Sequence, residues 1–204
     1  MKYSTVALMA FGVLGVTEAK ADTVHFGVHG GFGTLNSDWT LDPNHVGTSS
    51  VGGAVAGIQA GWDHPLQGGS IGAEADLSFF DLNAGFDGGE GIGVKGSLLS
   101  SLRLRASLSN GPFKPFLTAG LGLGKFNYTE YAVGSIPGGD VIDTTRYGFV
   151  VGGGVDNQFS AHWSGRLEGL YYLFGQDSGS FADTRTYTVN SNVFVVRAGL
   201  NYNF

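Results

Sequence analysis

Cysteine is absent from the 204-residue sequence. In a chain that carries an export leader, as this one does, the absence excludes disulfides, a thiolate metal site and a lipidated N-terminal cysteine. Cations are scarce as well, with 11 Lys and Arg against 17 Asp and Glu and a formal charge of -6. A nucleic-acid partner needs basic patches, so that class is excluded too. No stretch approaches the ~18 apolar residues of a membrane-spanning helix. P-loop, zinc-ligand and dinucleotide-binding spacings are also missing, and the runs of the "GVGG" type read as strand glycines.

What is present begins with the leader. Lys2, an apolar run from Val6 to Val16 and small residues at Ala19 and Ala21 have the layout of a secretory signal peptide over residues 1–21, leaving a mature domain over 22–204. Cleavage after Ala19 remains an open alternative. Thirty-six glycines set among alternating aromatics point to an all-β domain.

Period-two alternation predicts eight strands, near Thr23–Gly33, Ala54–Trp62, Ser70–Phe80, Val94–Leu108, Phe113–Lys125, Arg146–Asn157, Trp163–Phe174 and Asn192–Phe204. Each is near the ~9 to 11 residues a tilted strand needs to cross a bilayer. Connections after strands two, four and six are short (Asp63–Gly69, Ser109–Pro112, Gln158–His162). The other four are long, acidic and rich in small polar residues. Short turns at one end and long loops at the other predict an eight-stranded antiparallel up-and-down transmembrane β-barrel, with its turns in the periplasm and its loops outside the cell.

The two faces of each strand differ in kind. Ile71, Ala73, Ala75, Leu77 and Phe79 alternate with Gly72, Glu74, Asp76 and Ser78, and Leu102, Leu104 and Ala106 alternate with Ser101, Arg103, Arg105 and Ser107. A soluble barrel would turn the apolar set inward. Against that, the polar set is rich in glycine, which clears a narrow interior but does nothing for a solvated surface. Aromatics on the apolar set also gather at strand ends: Phe32, Phe79, Phe149 and Tyr171 toward the loops, Trp62, Trp163, Tyr202 and Phe204 toward the turns. Two such girdles bracket a hydrocarbon layer, so the apolar set faces lipid.

The inward set then holds Glu74, Asp76, Asp156 and Glu168 with Arg103, Arg105, Arg166 and Arg197. Glu74 and Asp76 lie at about the height of Arg103 and Arg105 and are expected to pair with them across strands. Such carboxylates also suit acid–base catalysis. An interior only wide enough for side chains favours a structural plug instead. His162, Ser164 and Glu168 resemble the constellation of lipid A deacylases, yet His162 lies in a periplasmic turn, away from outer-leaflet lipid A. His25 and His29 share the inner face and a common ligand is within their reach, although interior hydrogen bonding is the plainer role.

The segments "GAEADLS", "RLRASL", "GFVVGGGVD", "RLEGLYY" and "VVRAGLNYNF", in that order, resemble the small outer-membrane β-barrel proteins of the Omp25/Omp31 type from alphaproteobacteria, themselves similar to the barrel half of OmpA. By that resemblance Phe204, with Tyr202, Leu200, Ala198 and Val196 before it, forms the sorting signal read by the barrel-assembly machinery, and no peptidoglycan-binding domain is expected. The resemblance implies non-catalytic roles: envelope integrity, surface exposure toward a host ligand and, in some relatives, porin activity or hemin binding. No enzymatic activity and no resident cofactor or metal is expected. From the residues themselves, outer segments 34–53, 81–93, 126–145 and 175–191 hold ten acidic residues and one basic, Arg185. Trp39, His45 and Tyr131 are the expected loop contacts, His45 being the candidate hemin ligand. Lys125 and Arg146 are placed at the upper rim, facing lipopolysaccharide phosphates. Outward Gly165 and Gly169 offer either a close approach between two barrels or an easing of strand curvature.

Overall fold

The computed structural model describes residues 21–41, 45–81, 91–109, 111–131, 141–180 and 186–204. The signal-peptide expectation, Arg185 and parts of the long loops lie outside the described residues. Eight strands follow in chain order: β1 (Thr23–Leu41), β2 (His45–Leu66), β3 (Gly69–Asp81), β4 (Gly91–Leu108), β5 (Phe113–Tyr131), β6 (Val141–Gln158), β7 (Trp163–Ser180) and β8 (Thr186–Asn203). Each pairs antiparallel with the next, and β8 closes on β1 into a barrel. All eight expected strands are present, and each pair of neighbours runs in the expected sense.

The turn end is tight. β2 and β3 are joined by Gln67 and Gly68, shorter than expected, with Gly68 in the left-handed region at φ 86°. The loop end is longer than the alternation suggests. β1 and β2 stay paired as far as Leu41 opposite His45, which puts Trp39 opposite Gly47, and β5 reaches Tyr131. Trp39, His45 and Tyr131 therefore stand on strands and not in loops. The reason is physical: above the lipid both faces of a ribbon contact polar surroundings, so hydrophobic alternation fades while the backbone ladder continues.

The ladders do not all rise equally. β3 stops at Asp81, and β4 meets β3 only up to Leu98 opposite Phe79. β6 meets β7 only up to Phe149 opposite Leu173. Beyond those heights, residues 141–147 run beside β5 alone and residues 176–180 beside β8 alone, among the described residues, while Gly148 still lies against the β7 backbone at Leu173 and Phe174. A bulge accompanies each parting, at Gly96/Leu98 in β4 and at Leu173/Gln176 in β7. A bulge adds one residue to one strand and bends it. In β7 that residue is accommodated by Gly175 at φ 69°.

The outer surface of the lower barrel is apolar, as expected. Phe32, Phe79, Phe149 and Leu104 all stand outward, and Phe204 is 74% exposed. Among the described residues no helix is long and apolar enough to cross a membrane; the crossing is made by strands. The interior has two tiers. Charged and polar side chains fill the part nearer the turns. Above them Leu35, Val55, Phe80, Leu99, Phe126, Val150, Leu170, Tyr172, Phe174, Val193 and Val195 form one buried apolar cluster. The plug of charge pairs expected from the sequence therefore fills only the lower tier of the lumen. Glycines make the room: a β-carbon on Gly122 would lie 2.8 Å from the Tyr172 ring, and one on Gly154 would lie 2.8 Å from Phe116.

Candidate functional site

All eight ionisable residues expected in the lumen are buried there. Register makes three of the ion pairs directly, because Glu74 opposes Arg103, Asp156 opposes Arg166 and Glu168 opposes Arg197 on neighbouring strands. Arg103 Nη2 lies 2.5 Å from Glu74 Oε1, Arg166 Nε lies 2.7 Å from Asp156 Oδ1 and Arg197 Nη2 lies 2.7 Å from Glu168 Oε2. Closure of the barrel adds pairs no alternation pattern can show. Arg103 reaches Glu168 at 2.7 Å and Asp76 at 3.2 Å, Arg197 reaches Asp76 at 3.1 Å, and Arg166 meets Glu74. Every one of the four carboxylates thus lies against two guanidiniums.

Arg105 departs from its expected partner. It opposes Gly72, nearer the turns than Glu74, and its close partner is Asp156 on β6, while Glu74 is 4.0 Å away. Phe116, whose stacking role the sequence did not reveal, lies under both flanking cations, with its centroid 4.1 Å from Arg105 Cζ and 5.0 Å from Arg166 Cζ. Such stacking offsets part of the cost of holding two like charges close together. The signal was an inward aromatic on the glycine-rich face of β5.

The two histidines have separate partners. His25 Nε2 lies 3.0 Å from Glu74, with Asp63 at 3.5 Å from Nδ1, whereas His29 Nε2 lies 2.9 Å from Ser78 Oγ and accepts from Arg197 at 3.2 Å. Below the ionic tier a vestibule of about 530 Å³ opens at the turn end, lined by His25, Asp63, Arg105, Asp156 and Asn201 among others.

The deacylase-like constellation is not assembled. Ser164 is buried and accepts from Asn203 Nδ2 at 3.3 Å, while the exposed His162 stacks on Tyr202 at 5.4 Å and bonds the Asn203 carbonyl. Glu168 is held by Arg103 and Arg197. Lys125 is exposed as expected, but Arg146 is buried on the inner face and is corrected as a rim contact. Inward parity runs through Val150 and Gly148 to Arg146, so a rim position on the outer face falls to Tyr147, which is 74% exposed. A β-carbon on outward Gly165 or Gly169 would touch a ring, Phe159 at 3.7 Å or Phe194 at 3.9 Å, so neither glycine borders open space.

The aromatic residues expected at the two strand ends stand on the outer face, Tyr202 partly covered by Trp163 and Phe204 at ring separations of 5.2 and 5.0 Å. A closed eight-stranded barrel with an apolar outer band between aromatic ends and a filled interior is an integral β-barrel protein of the outer membrane of a Gram-negative bacterium. Its relatives identify it further as a homologue of the Omp25/Omp31-type proteins. The chain is 28% identical to the 25 kDa outer-membrane immunogenic protein of Brucella abortus over 168 residues, 79% of this chain and 73% of that one. It is 29% identical to the 31 kDa outer-membrane immunogenic protein of Brucella melitensis over 166 residues, 76% of this chain and 68% of that one. No family model matches the chain. Among solved structures, the outer membrane protease OmpT from Escherichia coli aligns with a TM-score of 0.51 at 11% identity, covering 89% of this chain and 97% of that one. Neisserial surface protein A aligns with a TM-score of 0.49 at 17% identity over 88% and 97%. At these identities the likeness concerns the fold alone.

Proposed function

We propose that the protein is a non-enzymatic structural component of the outer membrane whose lumen is plugged and whose acidic loop end, outside the cell, is its interacting part. The observation that carries this reading is the interior: a network in which each of four carboxylates meets two arginines, beneath an apolar tier containing Phe126 and Tyr172. A filled interior leaves the loop end as the part free to specialise. The partners we assign are lipopolysaccharide, with Lys125 toward its phosphates, the barrel-assembly machinery during insertion, and a host-surface ligand met by Trp39, His45 and Tyr131.

Single-channel recording of the refolded mature chain in a planar bilayer tests the plug. Silence is expected. Steady openings that change in size or selectivity in Arg103→Ala or Glu74→Ala give first place to a small diffusion pore, which the turn-end vestibule favours. Hemin capture through His45 predicts a Soret shift that His45→Ala abolishes. Unaltered lipid A mass spectra with and without the protein are expected if it has no deacylase activity.

A further inference from the structure

Above the lipid the barrel separates into two sheets. Among the described residues one runs β7–β8–β1–β2 and the other β4–β5–β6, because the described part of β3 reaches Asp81 and β6 leaves β7 above Gly148. The two partings differ. The one beside β3 is spanned in sequence by residues 82–90, which link β3 to β4. The one between β6 and β7 has no connection across it, since those strands are joined at the turn end through residues 159–162.

A strand with a neighbour on one side presents alternate N–H and C=O groups on the other, which is a template for a further strand. Native edges are usually blunted by lysine, proline or a bulge on the edge itself. The β6 edge, residues 141–147, reads Val-Ile-Asp-Thr-Thr-Arg-Tyr, without lysine or proline. It is rich in the β-branched and aromatic residues that favour strands. Its ladder to β5 is regular, with the pairing unbroken from Val141 opposite Thr129 to Gly148 opposite Gly122. The bulge belongs to β7, where Gly175 takes a positive φ between Leu173 and Gln176. Asp143 stands on β6 and Asp177 on β7, within outer segments that hold ten acidic residues and one basic.

From this placement we propose that the β6 edge at the β6–β7 parting is a docking site for an extended, cationic segment of another protein, which adds to β6 as an antiparallel or parallel strand. Backbone pairing would supply the register-independent part of binding, and the acidic surroundings would select lysine- and arginine-rich segments. The inference rests on the reading of the loop end as an interaction surface and names its mode.

The test uses the mature chain refolded in phospholipid nanodiscs and a probe peptide of about eight residues that alternates lysine with valine or threonine. One control replaces its two central residues with proline, which cannot join a ladder, and another replaces lysine with glutamate. Amide hydrogen exchange over residues 141–147 is the readout. The lysine peptide is expected to slow exchange there by about tenfold, the proline peptide not at all, and the glutamate peptide less than the lysine one. Deletion of Gly175 removes the extra residue of the bulge. It is expected to protect residues 141–147 without any peptide and to abolish the peptide effect. Equal binding of the lysine and proline peptides, without protection at 141–147, overturns strand addition and leaves an acidic interaction surface standing. Binding of none of the peptides removes both. Protection that grows with protein concentration alone overturns the proposal in favour of a second copy of this chain.

Discussion

Arg197 shows what a single residue decides. It opposes Glu168, crosses to Asp76 and is 2% exposed, so its removal leaves those two buried carboxylates to share Arg103 alone. Arg197→Ala is expected to cost roughly 3–5 kcal/mol, read as a lower urea midpoint for the protein folded in lipid. Gly122→Val tests space in place of charge. Its side chain would enter the Tyr172 ring, at an expected cost of about 1–3 kcal/mol in the same assay. Just before β1 the hydrogen bond with His64 holds the exposed Asp22 carboxyl below its ordinary range. A depressed carboxylate stabilises above its unfolded value and loses that contribution as the pH falls through its folded one. Fraying of the first residues of β1 is therefore expected on acidification, measured by amide exchange at Val24, and Asp22→Ala is expected to fray them already at neutral pH.

At the scale of the element, strand positions and inward parity were readable because lipid on one side and a narrow interior on the other impose strict period two. Where the apolar interior tier coincides with lipid, both faces are apolar, and the sequence carries doubly apolar runs: "FVV" at 149–151, "LYYLF" at 170–174 and "VFVV" at 193–196. Those runs were the available sign of the tier, hidden because alternation was the signal sought. Strand ends above the lipid gave no such sign, which is why Trp39, His45 and Tyr131 read as loop residues. Bulges are also silent in an alternation pattern. Gly175→Ala is expected to cost about 1–2 kcal/mol, since a side chain at positive φ is strained, and to alter exchange in residues 174–180 while leaving the ladder from Trp163 to Leu173 intact.

At the scale of the molecule, the two interior tiers lie in series along the lumen, so blocking by either suffices. Breaking the ionic tier alone with Arg103→Ala, or the apolar tier alone with Phe126→Ala, is expected to leave the bilayer current silent, whereas the combined variant is expected to open transient conductance. The sequence by itself determined the number of strands, their order and, Arg146 apart, the inward ionisable side chains, with four carboxylates and four arginines in the lower tier, because alternation, turn length and composition are local properties of a chain. Only the tertiary structure decided which charges meet. Arg105 with Asp156, Arg103 with Glu168 and Arg197 with Asp76 are brought together across non-adjacent strands by register and closure. The same holds for the parting of β6 from β7, which depends on where neighbouring ladders end and on one extra residue in β7.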